Sequence, residues 1–355
     1  MRLEPKDEAR EGPRRTLIVP GLFLLLLIAF GLSLSLGSVR IPLAGLFDVL
    51  LGRETDSPAW PIIIHTIRLP RAITGVLAGA ALAVSGLQMQ TLFRNPLADP
   101  FVLGISAGAS LGVAIVVLSA GAAGGVLIAG LGLLGDLGLA AAAILGAAVV
   151  LGCVLLVSRS VSSVMTLLIL GLMFGYATAA FVSILIYFSV PEQIQSYILW
   201  TFGSFGSVTW RQIPVLVCTT LFGLLLALLC IKPLNALLLG ENYARSMGLS
   251  VKRARLWILV SASVLAGATT AFCGPIAFLG LAVPHLCRSL LHTSDHRVLM
   301  PAVIFLGATL ALLSDLFAHL PGSQYVLPLN AVTSLIGAPV VIWFILHRRN
   351  LSQTV

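Results

Sequence analysis

Ten apolar stretches of about bilayer length follow one another along this chain, and they leave it few folds to choose from. In hydrocarbon every backbone N–H and C=O must find its partner inside the protein, so a spanning segment is a helix or a strand of a closed barrel. The stretches run about 17–36, 67–89, 97–118, 136–157, 164–188, 210–231, 256–273, 276–291, 298–319 and 329–347. Their continuous apolar runs, without period-two alternation, predict helices rather than barrel strands. Charged residues make up 10% of the chain, against about 25% in a soluble domain. The expected fold is therefore an all-α polytopic membrane protein of about ten transmembrane helices. The first run exceeds a signal-peptide core in length and no small-residue cleavage site follows it, so it reads as a retained helix. A Gly/Ala-rich section, 119–135, has the least defined boundaries.

This divides the chain into an N-terminal tail (1–16), helices 1–6 (17–231), a basic polar stretch (232–255), helices 7–10 (256–347) and a C-terminal tail (348–355). Ten crossings place both termini on one side. Of the 21 Lys and Arg residues, only Arg40, Arg53, Arg68, Arg71 and Arg211 fall on the other side. The positive-inside rule then puts both termini and the 232–255 stretch in the cytoplasm. The loop 189–209 carries Tyr197, Trp200, Phe202 and Phe205, read as an interfacial aromatic set.

The stretch 232–255 reads KPLNALLLGENYARSMGLSVKRAR. It predicts two short helices, Leu234 to about Leu239 and Glu241 to about Met247, the second closed by Gly248 as a helix-ending glycine. So short a hairpin cannot bury its own apolar face. Leu237, Leu238, Leu239, Tyr243, Ala244 and Met247 need a partner surface. Two partners fit: the headgroup layer of the bilayer, or a soluble protein docking from the cytoplasm.

VLAGAALAVSG (76–86) and VLAGATTAFCG (264–274) form an internal repeat. They lie five spans apart, and an odd offset sends the two copies across the membrane in opposite senses. A five-plus-five inverted pseudo-repeat of this kind is a transporter signature, although Gly/Ala-rich helices also resemble one another by chance.

Several functions are disfavoured by what the spans lack. Asp99, Asp136, Asp315, His285 and His319 sit near predicted span ends, and no span has an acid or histidine at its centre, where a proton relay would place one. Paired carboxylates, HExxH, GxSxG and a Walker A loop are missing, so no catalytic residue or ATP site is expected. The five cysteines (Cys153, Cys218, Cys230, Cys273, Cys287) have no CxxC spacing and read as small core residues, and no metal site is expected. ATP-driven transport would need the ATPase in another subunit. An ion- or proton-coupled secondary transporter is the alternative.

Long ordered motifs carry a resemblance: IRLPRAITGVLAGAALAVSGLQMQTLFRNPLADPFVLGISAGASLG (67–112), GSFGSVTWRQ (203–212), LNALLLGENYARSMGL (234–249), GPIAFLGLAVPHLCRSLLHTSDHRVLMP (274–301) and LPLNAVTSLIGAPVVIWFIL (327–346). Over about 17–347 the chain resembles the FecCD family, the permeases of type II ATP-binding-cassette importers for iron-siderophore, haem or cobalamin. The resemblance implies a homodimer, a cytoplasmic ABC ATPase dimer, an extracytoplasmic substrate-binding protein and a metal-chelate substrate. It implies no cofactor in this chain, since ATP and Mg would sit on the ATPase, and no nucleic-acid partner. It implies ATPase coupling by Leu234, Leu238, Gly240, Glu241, Ala244, Arg245, Met247 and Gly248. Arg68 and Arg71 would meet acidic residues of the binding protein from an exposed outer surface, although from the residues alone snorkelling at the interface is the preferred reading. His319 stands where the family has a third basic residue, an arginine, and would add to docking when protonated. Asn95 and Leu97 match a cytoplasmic gate. Ser162, Ser163 and Thr166 would line the path, in a turn that departs from the family pattern.

Overall fold

The computed structural model describes residues 5–119, 133–160, 164–319 and 326–352, and every regular element in them is helical. Fourteen helices are distinguished here. They are α1 (Pro5–Ser35), α2 (Leu43–Leu50), α3 (Ala59–Leu92), α4 (Ile105–Ser119), α5 (Leu133–Ser160), α6 (Val164–Tyr187) and α7 (Pro191–Thr201). The second set is α8 (Ile213–Leu229), α9 (Ile231–Leu238), α10 (Glu241–Ser246), α11 (Val251–Cys273), α12 (Leu279–Leu291), α13 (His296–Ala318) and α14 (Leu329–Ser352). Six of them are long and apolar enough to cross a membrane: α1 from Leu17, α3, α5 from Gly138, α6, α11 and α13. A seventh crossing results if α8 and α9, bent by 49° at Cys230, are one span. Three shorter apolar helices are Ile105–Leu118, Leu279–Leu291 and Leu329–Trp343.

The helix α3 is the centre of the bundle, packed by α8, α11, α12 and α13. Its Gly, Ala, Ser and Thr residues make this possible, because without a hydrophobic drive between helices in lipid, association depends on close backbone approach. At Gly86 a Cβ would lie 1.8 Å from the carbonyl oxygen of Gly280 in α12, and at Gly79 it would lie 2.3 Å from that of Gly307 in α13. A second seam joins α4 to α5, where a Cβ on Gly112 would meet the Ala142 carbonyl at 2.0 Å. The buried polar residues of α3 reach across the same contacts. Ser85 donates to the Ala262 carbonyl (2.8 Å) and Gln88 to Ser261 (3.1 Å), both on α11.

The α3 helix starts eight residues before the expected position, and its first turns, Ile63–Arg68, are wound wider than an α-helix. Pro70 follows at once. It has no N–H to donate and its ring crowds the carbonyl four residues back, so a widened turn is a suitable way in.

Two connections expected to be irregular are helical. The loop 37–66 contains α2, and 189–209 contains α7, whose Pro191 occupies a first-turn position where its missing N–H costs nothing. The aromatic set there is not uniformly interfacial. Phe205 is fully buried against Gly75 of α3, and Tyr197 is buried too, whereas Phe202 remains exposed. A ring that can reach a glycine notch in the bundle is drawn inward by apolar burial. At the opposite extreme, only 17% of the apolar window of α6 is covered, so Met173, Tyr176, Phe181 and Tyr187 face outward.

Candidate functional site

At one end of the bundle the bend at Cys230 turns the chain out of α8 into α9, which buries Leu234 and Leu237 and half-buries Leu238. Gly240 then takes φ 105° and ψ 153°, a region open essentially to glycine, and α10 begins. Helix α10 ends in a Schellman motif: the N–H of Gly248 bonds the Arg245 carbonyl at 2.9 Å, and that of Leu249 bonds the Ala244 carbonyl at 3.0 Å. Gly248 has φ 85° and open space around it. Glu241 ties the hairpin down. Its carboxylate accepts from Arg245 (3.2 Å) on its own helix and from Arg255 (3.0 Å) on α11. Ala244 is buried beneath, while Leu239, Tyr243 and Met247 are each more than half exposed. The hairpin thus holds exposed apolar side chains on a fixed backbone.

Further candidate residues at this end lie in the turn after α3. Asn95 Oδ1 accepts the Leu97 backbone N–H at 2.9 Å, holding the turn, and Leu97 projects 47% exposed. His285 on α12 meets the Pro96 carbonyl at 2.7 Å, and Arg288 donates to Gln90 at 2.5 Å. Gln90, Thr91, Arg94, Pro96, Leu238, His285, Arg288 and Ser294 enclose a cavity of about 200 Å³ between the turn and the hairpin. Asn235 of α9 donates to Asp295, the N-cap of α13, at 2.6 Å. The Arg297 backbone N–H, together with that amide, holds the Asp295 carboxyl below its ordinary range. Thr166 is exposed near the start of α6, while Ser162 and Ser163 lie outside the described residues.

At the opposite end of the bundle the expectation of two exposed arginines needs correction. Arg68 is 7% exposed, and its guanidinium donates to the carbonyls of Leu34 (2.7 Å), Ser35 (2.9 Å) and Val39. It closes the C-terminal end of α1, whose last carbonyls have no helical partner. Arg71 makes a two-pronged pair with Asp315 of α13, at 2.8 and 2.9 Å, and touches His319 Nδ1. His319 Nδ1 also lies 3.1 Å from the Asp315 carbonyl oxygen and 3.7 Å from its carboxylate. Together with Arg68, Gly37 and Val326 these groups line a cavity of about 260 Å³. Burial and the Arg71 charge push the His319 pKa below its ordinary value, outweighing the Asp315 groups that raise it. A titration near pH 6.5 is therefore not what this site gives.

Sequence reasoning missed Asp315 as a partner, and the signal was present: an acid on an apolar helix requires a counter-charge. It also missed Asn235, the one amide in α9, and His296 opposite it. Among the described residues no group of three His, Cys, Asp or Glu gathers where a metal ion could be held.

The sequence profile described as the FecCD transport family matches residues 25–347. The chain is 38% identical over 334 residues to the vitamin B12 import system permease protein BtuC of Klebsiella pneumoniae, covering 93% of each chain. It is 35% identical over 334 residues to the hemin transport system permease protein HmuU of Yersinia pestis, covering 94% of this chain and 97% of that one. A solved structure described as an inward-facing conformation of a metal-chelate type ABC transporter superposes with a TM-score of 0.76 at 29% identity, over 93% of this chain and 99% of its own.

Proposed function

The chain belongs to the FecCD transport family and is the permease subunit of an ABC importer, and from that premise we propose how its parts divide the work. The cargo is a bulky metal chelate of the kind its relatives are named for, cobalamin or haem, or an iron-siderophore. The observation that carries the scheme is the inner hairpin. Leu239, Tyr243 and Met247 form an exposed apolar face on two helices fixed by Glu241 and by the Schellman turn. That face receives the ATPase, and its rigidity lets ATP-driven motion pass into the bundle instead of being lost in a loose loop. No covalent chemistry is assigned to this chain. Its work is alternation between inward- and outward-open states, shifted by the partner's nucleotide state.

Two copies of the chain form the permease, each with ten crossings and cytoplasmic termini. The six long helices, the bent pair and the three shorter apolar helices supply ten segments in sequence order. The inverted repeat is supported by pairs five segments apart. Helices α3 and α11 have 83% and 78% of their windows buried, and α4 and α12 are both short, each entered through a left-handed residue, Gly104 or Phe278. The thin packing of α6 leaves its outward side for the second copy and the path. A cysteine at Ser250 should react with an impermeant maleimide only from the cytoplasm, and one at Ser57 only from outside. Labelling of both from one side removes the ten-crossing scheme.

The outer end receives the binding protein through Arg71 and His319, while Arg68 holds the surface together. Arg71 already faces a carboxylate, so the attraction it offers is partly spent. Vesicles carrying the permease with its ATPase should take up chelate only with ATP and the binding protein present. Uptake that persists without the ATPase overturns the scheme in favour of a secondary transporter. In the same vesicles, association of the binding protein should weaken with salt, since charges are screened over about 8 Å at physiological ionic strength. If a carboxylate of the partner approaches His319, docking raises the lowered pKa and takes up a proton. Docking then strengthens as pH falls toward the lowered value of the free histidine. His319→Gln should abolish that response, and a pH response unchanged in this variant removes the histidine from the interface.

A further inference from the structure

One hydrogen-bonded chain of side chains runs from the hairpin to the inner end of the central helix. Asn235 on α9 donates through Nδ2 to the Asp295 carboxylate at 2.6 Å. That bond fixes the amide, so its Oδ1 accepts, from the His296 backbone N–H at 2.9 Å and from His296 Nδ1 at 2.7 Å. Nδ1 therefore carries the hydrogen. The opposite ring nitrogen, Nε2, is thus the acceptor for the hydroxyl of Thr91 on α3 at 2.9 Å, and the Leu87 carbonyl one turn back, also at 2.9 Å, competes for that single hydrogen. His296 is fully buried and Thr91 nearly so. Buried groups in such a chain cannot exchange partners for water without cost, so α9, α13 and α3 must move together there or break the chain.

Thr91 sits one turn before the gate turn. The Arg94 N–H bonds the Thr91 carbonyl at 3.2 Å, the Asn95 N–H bonds the Gln90 carbonyl at 3.2 Å, and Asn95 then holds Leu97. We propose that Asn235, His296 and Thr91 form the relay by which the hairpin moves the Asn95–Leu97 turn, acting as positioning residues for the inner gate. The inference rests on the ATPase docking at the hairpin. The physical requirement is met by geometry: three elements that carry the docking face, the first turn of α13 and the gate are joined through one ring. The polar walls of the 200 Å³ cavity beside the relay, Gln90, Arg94 and Arg288 among them, give the turn space to move without packing against an apolar core.

Thr91→Val tests this with little change of shape, because valine keeps the volume and loses only the hydroxyl. Thr91→Ser restores the hydroxyl. The probe is a cysteine in place of Leu97, and the readout is its maleimide labelling rate in the permease–ATPase complex, with and without ATP. The same complex without Leu97→Cys gives the background from Cys153 and Cys218. In the parent, ATP should change the rate. In Thr91→Val the ATP response should shrink by roughly tenfold, within the usual span of a coupling between sites, and Thr91→Ser should recover it. Co-purification of the ATPase should stay at parent level in both. A Thr91→Val complex that responds to ATP like the parent overturns the relay, and so does a parent in which ATP leaves Leu97→Cys labelling unchanged. Failure of the parent permease to hold the ATPase overturns the docking reading instead. A variant that loses the ATPase along with its labelling response also counts against the relay, since it assigns Thr91 to the fold of the hairpin and not to transmission.

Discussion

Gly86→Val should leave no well-folded permease to purify. A Cβ at this position meets the Gly280 carbonyl oxygen at 1.8 Å, its carbon at 2.4 Å and the Cα at 2.6 Å. All three are backbone atoms of α12, so no side chain can swing away, and the two helices have to separate. Overpacking of a core costs about 1–3 kcal/mol when side chains can adjust. Here the displaced element is a helix tied to α3 at two further points, through Gln90 to the Leu281 carbonyl and Arg288 to Gln90. The penalty therefore belongs at or above the top of that range, a large part of the total of about 5–15 kcal/mol that holds a typical domain. Gly21→Val in α1 is the control, since a Cβ there meets nothing within 4 Å. The check is the yield and thermal midpoint of both variants in one detergent. A Gly86→Val protein as monodisperse and as heat-resistant as Gly21→Val would sink the account of the seam.

Glu241→Arg should leave a folded permease that has lost its ATPase. The carboxylate is shared by Arg245 at 3.2 Å and Arg255 at 3.0 Å, and the Arg255 side chain is only 5% exposed. Charge reversal brings a third guanidinium against these two and removes the acid that faces the buried one. Breaking a buried pair costs about 3–5 kcal/mol, and the partial exposure of Glu241 lowers this toward the bottom of that range. Helix α10 has one turn and a half, too little to stay in place against such a term. The loss starts at the hairpin, because the two cations that Glu241 holds lie in α10 and near the start of α11. Co-purified ATPase should fall by more than about tenfold, as 1.4 kcal/mol per decade requires. Gly248→Val should act in the same direction more weakly, since a β-branched residue at φ 85° costs roughly 1–2 kcal/mol of backbone strain. Undiminished ATPase binding in both variants would remove the hairpin from the coupling scheme.

The spans and the hairpin were legible because each is a local pattern. Apolar run length marks α6 almost to the residue, and Gly240 and Gly248 punctuate 232–255 where the chain turns. The burial of Arg68 was not legible. The same arginine at the same membrane depth can snorkel outward or cap α1, and only the position of Leu34, Ser35 and Val39 in space decides between them. Phe205 was misplaced for a related reason: an aromatic in a polar loop reads as interfacial until Gly75 is known to stand opposite it. Asp315 could have been paired with Arg71 by charge balance, but no spacing rule connects residues 244 positions apart. Partners of this kind are set by how helices pack.

The position of α3 carries a cost in time. Its neighbours α8, α11, α12 and α13 all follow it by more than a hundred residues, so at a ribosome adding roughly 5–20 residues per second it waits several seconds for them. During that wait Ser85, Gln88, Gln90 and Thr91 have none of the partners on α11, α12 and α13 that they hold in the finished bundle. A helix with these groups is a poor guest in bare lipid. The least apolar of the six long spans is thus among the first to be made and among the last to be satisfied, and its biogenesis depends on shelter at the site of insertion until the C-terminal half arrives.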